Sequence, residues 1–121
     1  MRNITILQAN VAAALNKKNL SEGDKKRLDQ YARQTAPSYC AGCANICESA
    51  LDLDIPISDI LRYSMYNHSY GDRDRALTLF HALPTGIKAN ILKADYSIAE
   101  KYCPQKIQIG KVLKETYEEL A

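Results

Sequence analysis

The fold is indicated by two stretches, Ile55-Pro56-Ile57-Ser58-Asp59-Ile60-Leu61 and Ile107-Gln108-Ile109-Gly110-Lys111-Val112-Leu113. When the two are aligned, each position of the second lies 52 residues after its counterpart in the first. Both place apolar residues at the same steps, and both lead into a pattern with the spacing of an amphipathic helix. They therefore predict two matching helices and indicate an internal repeat.

Helical spacing also recurs on either side of these stretches. In chain order, the predicted helices are one with apolar residues at Ile4, Leu7, Val11 and Leu15; one capped by Ser21 that ends at Pro37; one that begins at Pro56 and Ser58 and stops near Gly71; one capped by Asp72 and ended by Pro84; weaker ones through Ile87, Ile91 and Leu92 and around Ile98; and a last one from about Gly110 to the end. No alternating strand pattern and no hairpin turn is present. The predicted fold class is therefore all-α, a small helical bundle of about six helices.

The repeat bears directly on the cysteines, of which the chain has four. The offset of 52 residues places Cys103 opposite Leu51. It places the first three cysteines opposite residues that cannot bind iron through sulfur, the pairs being Cys40 with Leu92, Cys43 with Asp95, and Cys47 with Ala99. One half of a duplicated cysteine motif thus keeps three cysteines and the other half keeps one.

In ferredoxins with two clusters, the first three cysteines of one motif and the last cysteine of the other motif bind the same cluster. That last cysteine is followed by proline, as Cys103 is followed by Pro104. The rule groups Cys40, Cys43, Cys47 and Cys103 as the ligands of one iron–sulfur cluster and leaves no ligands for a second. The spacing Cys-x2-Cys-x3-Cys is one residue longer in its second gap than the ferredoxin motif. Cys43 and Cys47 still face the same way if a helix begins there.

The chain from residue 37 to 121 resembles the helical, ferredoxin-like iron–sulfur domain that follows the barrel in some bacterial and archaeal aldo/keto reductases. The resemblance is carried by the cysteine triplet, by residues 55–63, by Tyr70-Gly71 and by Cys103-Pro104-Gln105-Lys106-Ile107. It implies one 4Fe-4S cluster, held by the four cysteines, in an accessory module with an electron-transfer or structural role.

Residues 1–36 resemble the last helices of the reductase barrel itself. In that family this region contacts the adenosine end of NADP(H), and of the residues concerned only Asn10 carries over cleanly, since Ala9 stands where an acid is usual. The resemblance implies that the catalytic aspartate, tyrosine, lysine and histidine precede this chain in a longer parent protein. NADP(H) would then bind only in that parent, and this chain alone would be inactive.

Composition limits the classes of partner. Sixteen basic and fourteen acidic residues are scattered along the 121 positions, and the net charge of +2 comes without a basic block, so nucleic acid is not an expected partner. The apolar stretches are too short and interrupted for a membrane helix. Cytoplasmic location is expected, and four cysteines there favour metal binding over disulfides. The expected partners are the parent's reductase barrel and an electron-transfer protein.

Two alternatives remain for the cysteines. Zinc is often held by four cysteines, although usually by two separated Cys-x2-Cys pairs. The other alternative is a helical protein-interaction module whose cluster site is a metal-free relic. His68 and His81 are interpreted as a helix-end and a surface histidine and not as ligands.

Overall fold

The computed structural model describes residues 3–16 and 19–121 of the chain. In these ranges it contains α-helices and two short 3₁₀ turns but no strand, so the all-α prediction is confirmed. The α-helices are α1 (Ile4–Leu15), α2 (Glu22–Thr35), α3 (Ala44–Cys47), α4 (Ile57–His68), α5 (Arg73–His81), α6 (Thr85–Ile91), α7 (Ser97–Tyr102) and α8 (Ile109–Leu120). The 3₁₀ turns are Ala36–Ser38 and Glu48–Ala50. Seven of the eight described α-helices lie at the predicted helical segments, and the eighth, α3, has only four residues, too few for apolar spacing to reveal.

The predicted caps form where the sequence placed them. The Ser21 hydroxyl accepts from the backbone N–H of Asp24 at 3.1 Å, and the Asp24 carboxylate accepts from the Ser21 N–H at 3.1 Å. These reciprocal bonds satisfy donors that a helix start leaves unpaired. The Ser21 hydroxyl also donates to the Asp24 carboxylate at 2.6 Å, and this bond, together with the one from the Ser21 N–H, holds the pKa of Asp24 below its usual value. Asp72 likewise accepts from the N–H of Arg75 at the start of α5.

The chain divides into two compact units, residues 1–32 and residues 33–121. In the first unit α1 has the predicted helical spacing, yet none of its residues is buried. Leu28 and Tyr31 of α2 are also exposed. The apolar core of the described chain therefore lies in the second unit.

The core of the second unit is built on α4, which packs against both α5 and α8. Ile57, Ile60 and Leu61 of α4 lie on one helical face and are buried, as spacings of three and four residues require. Phe80 of α5 is fully buried and meets Tyr117 of α8 edge to face, with ring centroids 6.0 Å apart. Buried side chains of this size dominate the stability of a small core.

The internal repeat is visible in the backbone. Helices α4 and α8 each contain 12 residues and begin at equivalent positions, Ile57 and Ile109. The residues just before them have nearly the same dihedral angles: Pro56 has φ −76° and ψ 75°, and Gln108 has φ −77° and ψ 76°. The isoleucines at the start of each repeated stretch are buried in both halves. The two halves therefore adopt one local structure although their sequences differ.

At one pair of equivalent positions the two halves differ in side-chain size. In the first half the equivalent positions hold Ala44 and Ser58, while in the second they hold Tyr96 and Gly110. A Cβ atom on Gly110 would lie 3.1 Å from Cδ2 of Tyr96. Tyr96 is held in place, since it is buried and its hydroxyl donates to the carbonyl of Ile91 at 2.9 Å. Its burial also raises its pKa to about 12. The ring therefore leaves little room for a Cβ atom at position 110.

Gly110→Ala tests this packing. We expect it to lower the free energy of unfolding by about 1 kcal/mol, because the strain against Tyr96 exceeds the gain in helix propensity. The matched control is Gly86→Ala in α6, where an added Cβ meets nothing within 4 Å. That substitution should raise the free energy of unfolding by roughly 0.4–1 kcal/mol. Urea denaturation of both variants is the measurement, and an equal gain in both would contradict the packing.

Candidate metal centre

The four cysteines lie on segments that adjoin the core of the second unit, and all four are free thiols. Cys40 follows the 3₁₀ turn Ala36–Ser38 and is partly exposed, and so is Cys43, which caps α3. Cys47 ends α3 and Cys103 follows α7, and each is only 7% exposed. Two cysteines are therefore inner and two are outer.

Packing brings the inner cysteines to one region although they come from opposite halves of the repeat. Helix α3 packs against α7, and α7 also packs against the turn Glu48–Ala50. Cys47 and Cys103 belong to the same buried core, and Cys40 packs against that core. The predicted approach of the Cys40–Cys47 stretch to the Cys103 segment is thus seen at the level of the packed segments.

The turn between Cys40 and Cys43 depends on a glycine. Gly42 has φ +77°, a conformation that L side chains rarely adopt. This geometry lets the Gly42 N–H point to the sulfur of Cys40, with N and Sγ 3.4 Å apart. A backbone donor at a sulfur stabilises the thiolate form, which is the form that binds metals.

The surroundings of Cys47 disfavour the thiolate form of its side chain. Burial first, then the negative charge of Glu48 and the proximity of Cys40 and Cys43, together raise its pKa to about 11. In the metal-free protein Cys47 is therefore a neutral thiol, and its S–H donates to the carbonyl of Ala44 at 3.5 Å. Cys40 and Cys43 both lie close enough to Cys47 to affect its pKa. A bound cation would offset the repulsion between charged sulfurs at this distance.

The donor set fits an iron–sulfur cluster in ligand type and number, because four thiols are the usual ligands of such a cluster. Across residues 3–16 and 19–121, however, no group of three or more His, Cys, Asp or Glu side chains is arranged to hold a metal ion. The backbone segments that carry the cysteines are packed together, but the sulfur atoms are not arranged to hold a metal ion. Binding would require the four sulfur atoms to come closer together than they are in this structure.

The corresponding region of the other half contains a cavity of about 270 Å³ and no cysteine. Leu51 and Asp95, the counterparts of Cys103 and Cys43, both line it. Asp95 is exposed, and its pKa lies below the usual value because it accepts hydrogen bonds from Ser97. The second ligand set of the repeat is therefore replaced by residues that are satisfied without a metal.

Both histidines lie at helix ends, and each contacts one of the last residues of α8. His68 is the last residue of α4, and its Nε2 lies 2.9 Å from Oε2 of Glu119. His81 ends α5, and its Nε2 lies 2.8 Å from the carbonyl oxygen of Leu120. The interpretation of the two as a helix-end and a surface histidine is confirmed.

Asn10, the residue assigned to NADP(H) by resemblance, is an exposed residue of α1 in the first unit. Its cofactor role stays a prediction, as does the assignment of residues 1–36 to a barrel.

Two glutamates near the cysteines were missed by the sequence reasoning. Oε1 of Glu48 accepts from the backbone N–H of Ser58 at 2.9 Å and from its hydroxyl at 3.0 Å. Oε1 of Glu100 accepts from the N–H of Gly110 at 2.9 Å. The two bonds are equivalent under the 52-residue repeat. The signal was present in the sequence, because both halves carry glutamate at this one aligned position.

Comparisons of the chain with known protein families, with curated proteins and with solved structures found no match. Among the residues that the structure describes, no helix is both long and apolar enough to cross a membrane.

The burial of the cysteines predicts their order of reaction. In the reduced, metal-free chain, iodoacetamide should modify Cys40 and Cys43 first, because Cys47 and Cys103 are shielded by the core. Mass spectrometry of peptides at successive times measures the four rates, and full denaturation in urea provides the unshielded reference. Equal rates at all four sites in the folded chain would contradict the inner and outer arrangement.

Proposed function

We propose that this chain binds one 4Fe-4S cluster through Cys40, Cys43, Cys47 and Cys103. The observation that carries the proposal is that Cys47 and Cys103, from opposite halves of an internal repeat, belong to one core against which Cys40 also packs. A buried free cysteine can also pack simply as a small apolar residue. Sulfur ligands from two distant segments, by contrast, are what a shared metal centre requires.

The four cysteines and the turn at Gly42 would have distinct roles in holding the cluster. Cys47 and Cys103 supply ligands from the side of the core, which excludes water and oxygen. Cys40 and Cys43 supply ligands from the outer side, and the Gly42 N–H stabilises the sulfur of Cys40. When bound, such a cluster carries single electrons and also links the two halves of the repeat.

The order of the cysteines favours a cluster over zinc. Three cysteines in one loop and a distant fourth before proline follow the crossed pattern of ferredoxins, whereas structural zinc sites generally use two separated pairs. The aligned second set of positions, which includes Leu51 and Asp95, has no cysteine at all. If the protein has retained a single cluster, we expect one complete set of four cysteine ligands and a second set of positions without cysteine.

We further propose, from the family resemblance, that the parent protein is a cytoplasmic, NADP(H)-dependent oxidoreductase of the aldo/keto reductase family. The chain would serve there as an accessory domain beside the reductase barrel. Its role would be to pass electrons to a partner protein or to stabilise the parent. The reduced state of the four cysteines in the cytoplasm supports metal binding in that setting.

The ligand grouping predicts that all four cysteines are needed. After anaerobic reconstitution the chain should hold one cluster, counted as iron and sulfide per chain. Cys103→Ser should lose as much iron and sulfide as Cys43→Ser, because three ligands leave the fourth iron corner open to solvent. Asp95→Ser is the control at the position equivalent to Cys43, and it should retain the full cluster.

Three other results would each overturn the proposal in a different way. A full, air-stable cluster in Cys103→Ser would place the fourth ligand elsewhere. If the chain binds zinc tightly and does not assemble a cluster from iron and sulfide, the site is a structural zinc site. If neither metal binds, the module is a metal-free relic whose function lies in protein interaction.

The chain by itself should not reduce carbonyl compounds. The catalytic groups of the family are expected in the parent protein upstream, and Asn10 alone cannot hold a dinucleotide. We expect no NADPH oxidation above background when the purified chain is mixed with a panel of aldehydes and ketones, followed by absorbance. Enzymatic turnover by the purified chain would contradict its assignment as an accessory domain.

A further inference from the structure

The two long helices of the repeat begin without a local cap. Neither Pro56, before α4, nor Gln108, before α8, makes a side-chain hydrogen bond to the helix start. The first N–H groups of a helix have no partner within the helix, and leaving them unpaired in a partly buried place is costly. Each of these helices therefore needs an acceptor from elsewhere.

Glu48 and Glu100 are those acceptors. Glu48 binds the N–H of Ser58, the second residue of α4, and Glu100 binds the N–H of Gly110, the second residue of α8. In both cases the acceptor lies ten positions before the donor. A carboxylate at this end of a helix also interacts favourably with the helix dipole. The same capping device is thus built twice, once in each half.

Each glutamate is attached to an inner cysteine. Glu48 directly follows Cys47 and opens the turn Glu48–Ala50. Glu100 lies in α7, and its carbonyl accepts from the N–H of Cys103 at 3.2 Å. A carboxylate fixed to the start of α4 or α8 therefore fixes the backbone that carries Cys47 or Cys103. Because α4 and α8 pack together, the segments of both cysteines are tied to the same pair of packed helices.

We propose that Glu48 and Glu100 are positioning residues that hold Cys47 and Cys103 in place by clamping their segments to the starts of α4 and α8. For its consequence on cluster binding this inference rests on the proposed function. The clamps themselves act in the metal-free chain. The rival account is that the two glutamates only stabilise the fold as a whole.

The test compares substitutions that separate the hydrogen bond from the charge. Glu48→Asp keeps the charge but is one methylene too short to reach Ser58, whereas Glu48→Gln keeps the reach and removes the charge. In the metal-free chain we expect Glu48→Asp to speed iodoacetamide labelling of Cys47 by about five- to tenfold, the effect of losing one helix cap. Glu48→Gln keeps the cap and should speed labelling less than Glu48→Asp does, by no more than the loss of the Glu48 charge lowers the pKa of Cys47. Glu100→Asp and Glu100→Gln should repeat this contrast at Cys103.

Selectivity distinguishes positioning from general stabilisation. Glu48→Asp should expose Cys47 more than Cys103, and Glu100→Asp should do the reverse. Glu119→Asp serves as a control, since Glu119 contacts Asn67 and His68 and no cysteine segment. Equal acceleration at both cysteines in every variant would overturn the inference. So would acceleration by Glu48→Gln equal to or greater than that by Glu48→Asp, because the rates would then not follow the loss of the hydrogen bond.

Cluster content keeps this inference separate from the proposed function. If wild type takes up a cluster, the two Asp variants should retain less iron on exposure to air than the two Gln variants, and equal retention would count against positioning. If wild type takes up no cluster, the proposed function fails. The labelling rates of the metal-free variants still decide whether the clamps hold the cysteines.

Discussion

Helices α4 and α8 bury matching isoleucine and leucine residues against each other, and the rest of the second unit is arranged around that contact. Each helix is the later part of one half of the repeat, so their packing brings the two halves together. The earlier parts, α3 and α7, then pack side by side and carry Cys47 and Cys103 into one core. Removing the packing of α4 on α8 would separate the cysteines as well as the helices.

The two halves have diverged in a complementary way around this shared frame. The first half keeps three cysteines and the small residue Ala44, and it forms the outer side of the proposed site. The second half has the bulky Tyr96 at the position of Ala44, buried and bonded to the carbonyl of Ile91. The first half thus supplies three of the four proposed ligands, while the second half supplies Cys103 and fills the space at its Tyr96 position with a ring. This division explains how a duplicated motif can support a single site.

The all-α class, most helix starts and the repeat could be predicted from the sequence, because apolar spacing and local caps such as Ser21 and Asp72 act over a few residues. The exposure of α1 could not, since spacing shows which residues share a face but not whether anything covers it. The grouping of Cys47 with Cys103 could be anticipated only through the repeat. The side-chain arrangement at the cysteines could not be predicted, because it depends on how segments from both halves pack and not on spacing along the chain. Glu48 and Glu100 were missed because an acceptor ten residues before its donor belongs to no local capping motif.

The central claim is that four sulfurs from both halves of the repeat converge on one metal centre. The most direct test is a crystal structure of the anaerobically reconstituted chain with anomalous scattering recorded at the iron edge. The account predicts a single anomalous site per chain, bonded to the sulfurs of Cys40, Cys43, Cys47 and Cys103. An iron site bound only by the first three cysteines, with Cys103 still packed in the core, would contradict it.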